Sequence, residues 1–302
     1  ASGPGGVLRL AFAALTENLD IWSLPIEPSQ GKVVGELKRL TQDAAADFHP
    51  ALSRDGGRMV FISARSGSQE VWIKDLRTGE DFVLTATRTP KYAPRFSPDG
   101  SKVAFAEAEQ WNTYLVPSAG GAPEIVCQGC GQPTGWSSDG KRILANAPAG
   151  RLWLLELASR RKTDLFPQSR QWLCCGRFSP DDAWIIFWDG TLGRSYIARF
   201  QDESPLEESG WIAMGGNGGW SPDGQLVFYG SSQDGYLCIW AQRLDPATKR
   251  PIAQPFAVFH SHNARISLAN QNDWTLAIGP DKMLFNMGEL TGNIWMAEWK
   301  QQ

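Results

Sequence analysis

Apolar and polar positions alternate along this chain in short bursts, and the bursts recur. Apolar stretches such as Met59-Val60-Phe61-Ile62, Val103-Ala104-Phe105 and Leu226-Val227-Phe228-Tyr229 each follow a polar turn. A second short segment after each carries a central aromatic, in order Trp22, Trp72, Tyr114, Trp153, Tyr196, Trp240 and Trp295, at spacings of 50, 42, 39, 43, 44 and 55 residues. A more polar segment, for example Asp81-Phe82-Val83-Leu84 or Pro123-Glu124-Ile125-Val126, closes most units. No long segment holds a 3.6-residue period, so the pattern predicts strands throughout.

The turn ahead of each apolar strand has its own chemistry. Its copies are Leu52-Ser53-Arg54-Asp55-Gly56, Phe96-Ser97-Pro98-Asp99-Gly100, Trp136-Ser137-Ser138-Asp139-Gly140, Phe178-Ser179-Pro180-Asp181-Asp182, Trp220-Ser221-Pro222-Asp223-Gly224 and Ile278-Gly279-Pro280-Asp281-Lys282. The turn aspartates lie 44, 40, 42, 42 and 58 residues apart. Proline presets φ at the first corner, aspartate bonds the backbone ahead of it, and glycine accepts positive φ, so each copy marks a hairpin. Asp182, Gly279 and Lys282 depart from the pattern and are expected to loosen the fifth and sixth turns.

Four short strands per 40 to 45 residues, roughly, is the period of a β-propeller blade. A sandwich or barrel has short strands too, but does not repeat its turn chemistry at a fixed period. The expectation is an all-β, single-domain propeller of four-stranded antiparallel blades over residues 1–302. Seven blades are expected, at about 7–41, 42–88, 89–128, 129–168, 169–213, 214–264 and 265–300, with six as the alternative. Both terminal blades read as incomplete: the first lacks an innermost strand, the last an outer one. If the chain is part of a longer protein, the missing innermost strand is expected upstream.

Composition narrows the function classes. Hydrophobic residues make up 42% and charged residues 20%, which excludes a disordered chain. A formal net charge of −3 lacks the basic footprint of a nucleic-acid binder. No apolar run is long enough to span a membrane as a helix. The opening Ala-Ser-Gly-Pro-Gly-Gly has no signal-peptide pattern and reads as a linker edge.

The Ser-Pro-Asp-Gly turn, the following strand ending in Phe, and segments such as Asp20-Ile21-Trp22 or Asn293-Ile294-Trp295 resemble the WD-like repeats of TolB-like propellers, over almost the whole chain. Leu40-Thr41-Gln42-Asp43 and Gly292-Asn293-Ile294-Trp295-Met296-Ala297-Glu298 are similar to propeller modules attached to bacterial winged-helix regulators and membrane-tethered serine/threonine kinases. The resemblance implies a non-catalytic sensor or protein-docking module, belonging to a longer regulator or kinase. A periplasmic or other extracytoplasmic location is favoured over the cytoplasm, and the partner is a protein or small molecule. Because propellers host many functions, the fold alone does not choose among them.

Related propellers precede hydrolase domains, but the nucleophile elbow Gly-x-Ser-x-Gly does not occur, and only His49, His260 and His262 could serve as a base. The chain is therefore read as a binding protein without cofactor; an enzyme or carbohydrate-binding propeller with its site in the central channel is the alternative. His260-Ser261-His262 has a spacing seen in metal sites, but no third ligand is fixed in sequence. The turn aspartates belong to different blades and do not make a calcium loop. Cys127, Cys130, Cys174 and Cys175 sit ahead of neighbouring innermost strands. They are read as free or buried thiols, as a disulfide within Cys127–Cys130 or between blades, or as four thiolates converging on zinc. Cys238 is expected to fill core. Three positions before each turn aromatic lie His49, Ala93, Pro133, Cys175, Asn217 and Thr275, which should circle the channel mouth. His49, Cys175, Asn217 and Thr275 are the candidate ligand- or partner-binding residues. Trp111, Trp172, Trp188 and Trp211 are candidates for stacking a sugar.

Overall fold

The computed structural model describes residues 7–201, 206–262, 266–268 and 275–300. Five four-stranded antiparallel sheets follow one another along the chain, and a sixth is built from both ends of it. Blade 1 comprises Asp47–Leu52, Arg58–Ser63, Glu70–Asp75 and Asp81–Val83, from the innermost strand outward. Blades 2 to 5 begin with innermost strands Lys91–Phe96, Gln132–Trp136, Leu173–Phe178 and Gly218–Trp220. The second strand of each is apolar on both faces because blades stack on either side of it. In blade 1, Met59, Val60, Phe61 and Ile62 are all fully buried.

The sixth blade corrects the count of seven. Its innermost strand is Leu276–Ile278, preceded by a further short pairing segment, Ile266–Leu268. Next comes the first half of the long strand Lys282–Lys300, then the second half of Val7–Glu27, with Trp22 opposite Phe285, and finally Lys38–Arg39. The two incomplete terminal units are one blade, so the innermost strand missing at the N-terminus comes from the C-terminus. Trp295, counted as a seventh blade aromatic, lies opposite Phe12 in a two-stranded ribbon that continues past the blade. There it is more than half exposed, as are Met296 and Ile294. The motif Asn293-Ile294-Trp295 thus repeats the local pattern of a blade strand without a neighbouring sheet to bury it.

Period-two alternation in the N-terminal strand seals both seams of this closing blade. Ile21 packs with Met59 and Phe61 of blade 1, whereas Leu24 and Ile26 pack with Leu226 and Phe228 of blade 5 and with Met283 and Phe285. Truncation here should cost as much as a change in mid-core. Leu24→Ala is expected to lower unfolding free energy in urea by about 2–5 kcal/mol; a loss near zero would mean that the ring holds without this strand.

Each Ser-Pro-Asp-Gly turn is locked by its own side chains. In blade 1, Ser53 Oγ donates to Asp55 Oδ1 at 2.5 Å and accepts the Arg58 N–H at 2.9 Å, and Asp55 also accepts from Gly57 N. Gly56 takes φ +70°. At the fifth turn Asp182 occupies this left-handed position with φ +57°. The departure does not loosen the turn, because the Asp182 carboxylate accepts from Ser138 N at 2.8 Å and Ser138 Oγ at 2.7 Å on the preceding blade. Asp182→Ala keeps the strained φ and loses both bonds, so a loss of about 1–3 kcal/mol in urea unfolding is expected, with Asp182→Gly milder because glycine relieves the strain.

Asp47, at the start of blade 1, is fully buried, and its carbonyl accepts from Asn286 Nδ2 of the closing blade at 2.7 Å. Among the described residues, no donor approaches the carboxylate oxygens in good hydrogen-bond geometry. Desolvation therefore pushes its pKa up to about 6, only partly offset by Ser63, Thr41 and Arg65. The folded state holds a proton that the unfolded chain releases near pH 3.8, so stability from this group is present below that pH and lost as pH rises through about 6. Urea unfolding should show a decline of roughly 2–3 kcal/mol across this window, which Asp47→Asn abolishes.

Candidate functional site

The six innermost strands line a central channel, and a bulge in most of them decides which side chains point into it. Pairing slips between Phe48 and Ala51, Tyr92 and Arg95, Pro133 and Gly135, and Cys174 and Arg177. His49, Ala93 and Cys175 take positive φ at these slips, at +55°, +48° and +62°. In all six strands, bulged or not, the residue just before the turn aromatic lines a cavity of about 400 Å³ reaching to the turn-side mouth. In blade order these residues are Ala51, Arg95, Gly135, Arg177, Gly219 and Ala277.

The alternation of small residues with arginine is steric. A Cβ on Gly219 would come within 2.6 Å of Arg177 Nη1, and one on Gly135 within 3.2 Å of the Arg177 Cα. Arg177 Nη1 donates to the Leu276 carbonyl of the closing blade at 2.9 Å, and Trp220 Nε1 donates to the Arg177 carbonyl at 3.2 Å. Arg95 Nη1 donates to the Pro94 carbonyl at 2.9 Å. A guanidinium carries five N–H donors, so most of the donors in the channel remain for something else. Neither arginine has a carboxylate ion-pair partner among the described residues.

Enclosure by the channel wall, together with the Arg177 charge, pushes Arg95 down to about 9, and enclosure lowers Arg177 as well. Arg95 therefore stays charged at neutral pH, and the downward direction at both arginines has the same cause, enclosure disfavouring charge. Water still reaches these side chains, which are deep in the fold yet line an open cavity.

The structure places part of the expected ring around this pair. His49 Nδ1 accepts from the Ala93 N–H of the next blade at 3.3 Å. Desolvation, with Arg95 adding to it, lowers its pKa to about 3, so it is a neutral hydrogen-bond acceptor. The Cys175 thiol is held below its usual range first by its contact with Cys174, whose sulfur is 2.8 Å away, then by Arg177, Arg95 and Asn217. Cys175 and Asn217 thus meet near the arginines. Thr275 is buried just ahead of the closing blade's innermost strand. The repeat positions three before the turn aromatic do not include Arg95 and Arg177. One position before it, the same alignment shows four Gly or Ala and two Arg, a signal the sequence did contain.

The four-thiolate arrangement does not form. Cys127 and Cys130 are joined in a disulfide, buried beside Val126 and Ile143, which removes both as metal ligands. His260 and His262 lie outside the channel, exposed in the connection after blade 5. Of the tryptophans, Trp111 stacks on Tyr92 and Trp211 packs edge-on against Phe166 and Phe187, whereas Trp172 and Trp188 line a groove of about 760 Å³.

The sequence profile of the TolB beta propeller domain matches residues 9–261. The chain belongs to this family. The Tol-Pal system protein TolB of Rickettsia massiliae is 32% identical over 78 residues, covering 26% of this chain and 18% of that protein. The uncharacterized peptidase YuxL of Bacillus subtilis is 27% identical over 113 residues, covering 33% of this chain and 17% of that protein. The chain thus spans less than a fifth of the length of these curated relatives. Among solved structures, a putative TolB from Agrobacterium tumefaciens superposes with a TM-score of 0.67 at 18% identity, covering 91% of this chain and 99% of that one. Oligogalacturonate lyase in complex with manganese superposes with 0.53 at 13% identity, covering 93% and 99%. At these identities the likeness is one of fold. Among the described residues of this TolB-like propeller, no helix is long and apolar enough to cross a membrane.

Proposed function

We propose that this propeller is a binding module whose channel receives a carboxylate, presented by a protein partner at the turn-side mouth. The observation that carries this reading is the arginine pair: two desolvated guanidiniums in one cavity, without a carboxylate partner among the described residues. A half-buried charge without a counter-charge is costly, and an incoming anion offsets that cost with bidentate, charge-assisted hydrogen bonds. Cys175 does not cancel the pair, since even an ionised thiol there would leave two guanidiniums facing one negative charge. The channel groups support binding over catalysis: His49 is engaged with a backbone N–H and stays neutral, and no carboxylate stands beside it to orient it as a base among the described residues. The kinship with TolB fits a protein partner, and the Cys127–Cys130 disulfide fits an oxidising, extracytoplasmic compartment.

The test is thermal unfolding and calorimetric titration with citrate and with a short acidic peptide, free or amidated at its C-terminus, at matched ionic strength. Both anions should stabilise the wild type, and Arg95→Gln/Arg177→Gln should lose that response. Weaker binding on amidation assigns the site to a chain terminus, and unchanged binding to an acidic side chain. An unaltered anion response in the double variant would overturn the proposal.

A further inference from the structure

Blade 5 carries a cluster that the channel does not use. Asp234 lies in the turn after strand Leu226–Ser231, and Cys238 opens the next strand, Cys238–Arg243. The connection leaving the blade brings His260 and His262 against them. His260 Nδ1 and His262 Nε2 each lie 3.1 Å from the same atom, Asp234 Oδ2, so two imidazoles converge on one point from different directions. Their rings stand edge to face with centroids 4.9 Å apart. The Cys238 side chain is fully buried beneath them. One donor atom from each of the four residues lies within 4.8 Å of the other three.

We propose that Asp234, Cys238, His260 and His262 form a four-ligand transition-metal site whose cation is Zn²⁺ or a metal of similar softness. The donor set is two imidazole nitrogens, one sulfur and one carboxylate oxygen, which suits zinc and not the all-oxygen shells of calcium or magnesium. Ligand bonds of about 2.0–2.3 Å imply tetrahedral edges of about 3.3–3.8 Å, so the widest donor pair, within 4.8 Å, closes by roughly an ångström while the two imidazole–carboxylate pairs at 3.1 Å open slightly to admit the ion. The side chains that move are the exposed ones, while Cys238 is fixed in the sheet. Aromatic neighbours hold the imidazoles: Tyr236 lies 4.6 Å from the His262 ring and Trp240 stands edge-on to His260 at 6.2 Å. One carboxylate and one thiolate balance the charge of a divalent cation.

Sequence alone pairs only the two histidines; the fold supplies Asp234 and Cys238 from residues more than twenty positions upstream. The ion would tie the Asp234 turn to the segment leading into Ile266–Leu268, which pairs with the closing blade. It would thus pin blade 5 to the seam where the ring closes. This site is independent of the anion proposal, since neither shares a residue with the other.

The test uses the whole protein stripped with chelator and titrated with ZnCl₂, then with CoCl₂. One equivalent of Zn²⁺ should bind and raise the unfolding temperature. Co²⁺ should give tetrahedral visible bands and a thiolate charge-transfer band in the near ultraviolet. His260→Ala/His262→Ala, at exposed positions, should unfold like the wild type without metal. Outer-shell partners alone are worth about 10–100-fold in metal affinity, so losing two ligands should weaken binding by at least about 100-fold. Cys238→Ser should retain weaker binding and lose the charge-transfer band. Absence of stoichiometric binding, unchanged affinity in the double histidine variant, or no thiolate band in the wild type would each overturn the assignment.

Discussion

Antiparallel pairing between the two ends of the chain is the constraint on which the rest of this propeller depends. Residues 18–25 pair with 282–289 inside one blade, and side chains from that strand are sealed into the cores of both neighbouring blades. Among the described residues, closure gives the closing blade a packed neighbour on each side. It also sets the ring at six blades. With six innermost strands around the axis, two arginines fit only where neighbouring blades offer Gly or Ala at the same level.

The channel inverts the usual logic of a core. Elsewhere the innermost strands contribute buried apolar groups, and the turns are locked by Ser–Asp pairs that satisfy their own backbone. Inside the channel, positive charge is concentrated without a carboxylate counter-charge among the described residues, and enclosure depresses Arg95 and Arg177. It is this concentration of charge on which the proposed anion site rests. The bulges serve the same end. By forcing His49, Ala93 and Cys175 into the left-handed region, they turn the residues beyond them toward the cavity.

Much of the fold was legible because its signals are local. Turns such as Phe96-Ser97-Pro98-Asp99-Gly100 act within one hairpin, and a strand such as Met59-Val60-Phe61-Ile62 announces a two-sided burial by being apolar at successive positions. The blade number was not legible, because Trp22 and Trp295 carry equally good strand patterns and differ only in what lies beside them. Trp22 sits in the closing blade; Trp295 is in the exposed ribbon. Asp182 shows the same limit: it read as a weakened turn until Ser138, 44 residues earlier in sequence, was found at its carboxylate.

By itself, then, the sequence determined the period, the hairpin turns, the all-β class and the family resemblance, since each rests on interactions between residues close in the chain. Tertiary structure alone decided the closure, the company each polar side chain keeps, and hence both candidate sites. Arg95 and Arg177 are 82 residues apart, and Asp234 and His262 are 28 apart. Their chemistry arises only when separate strands or loops are brought to one axis or one seam, a proximity that no local pattern encodes.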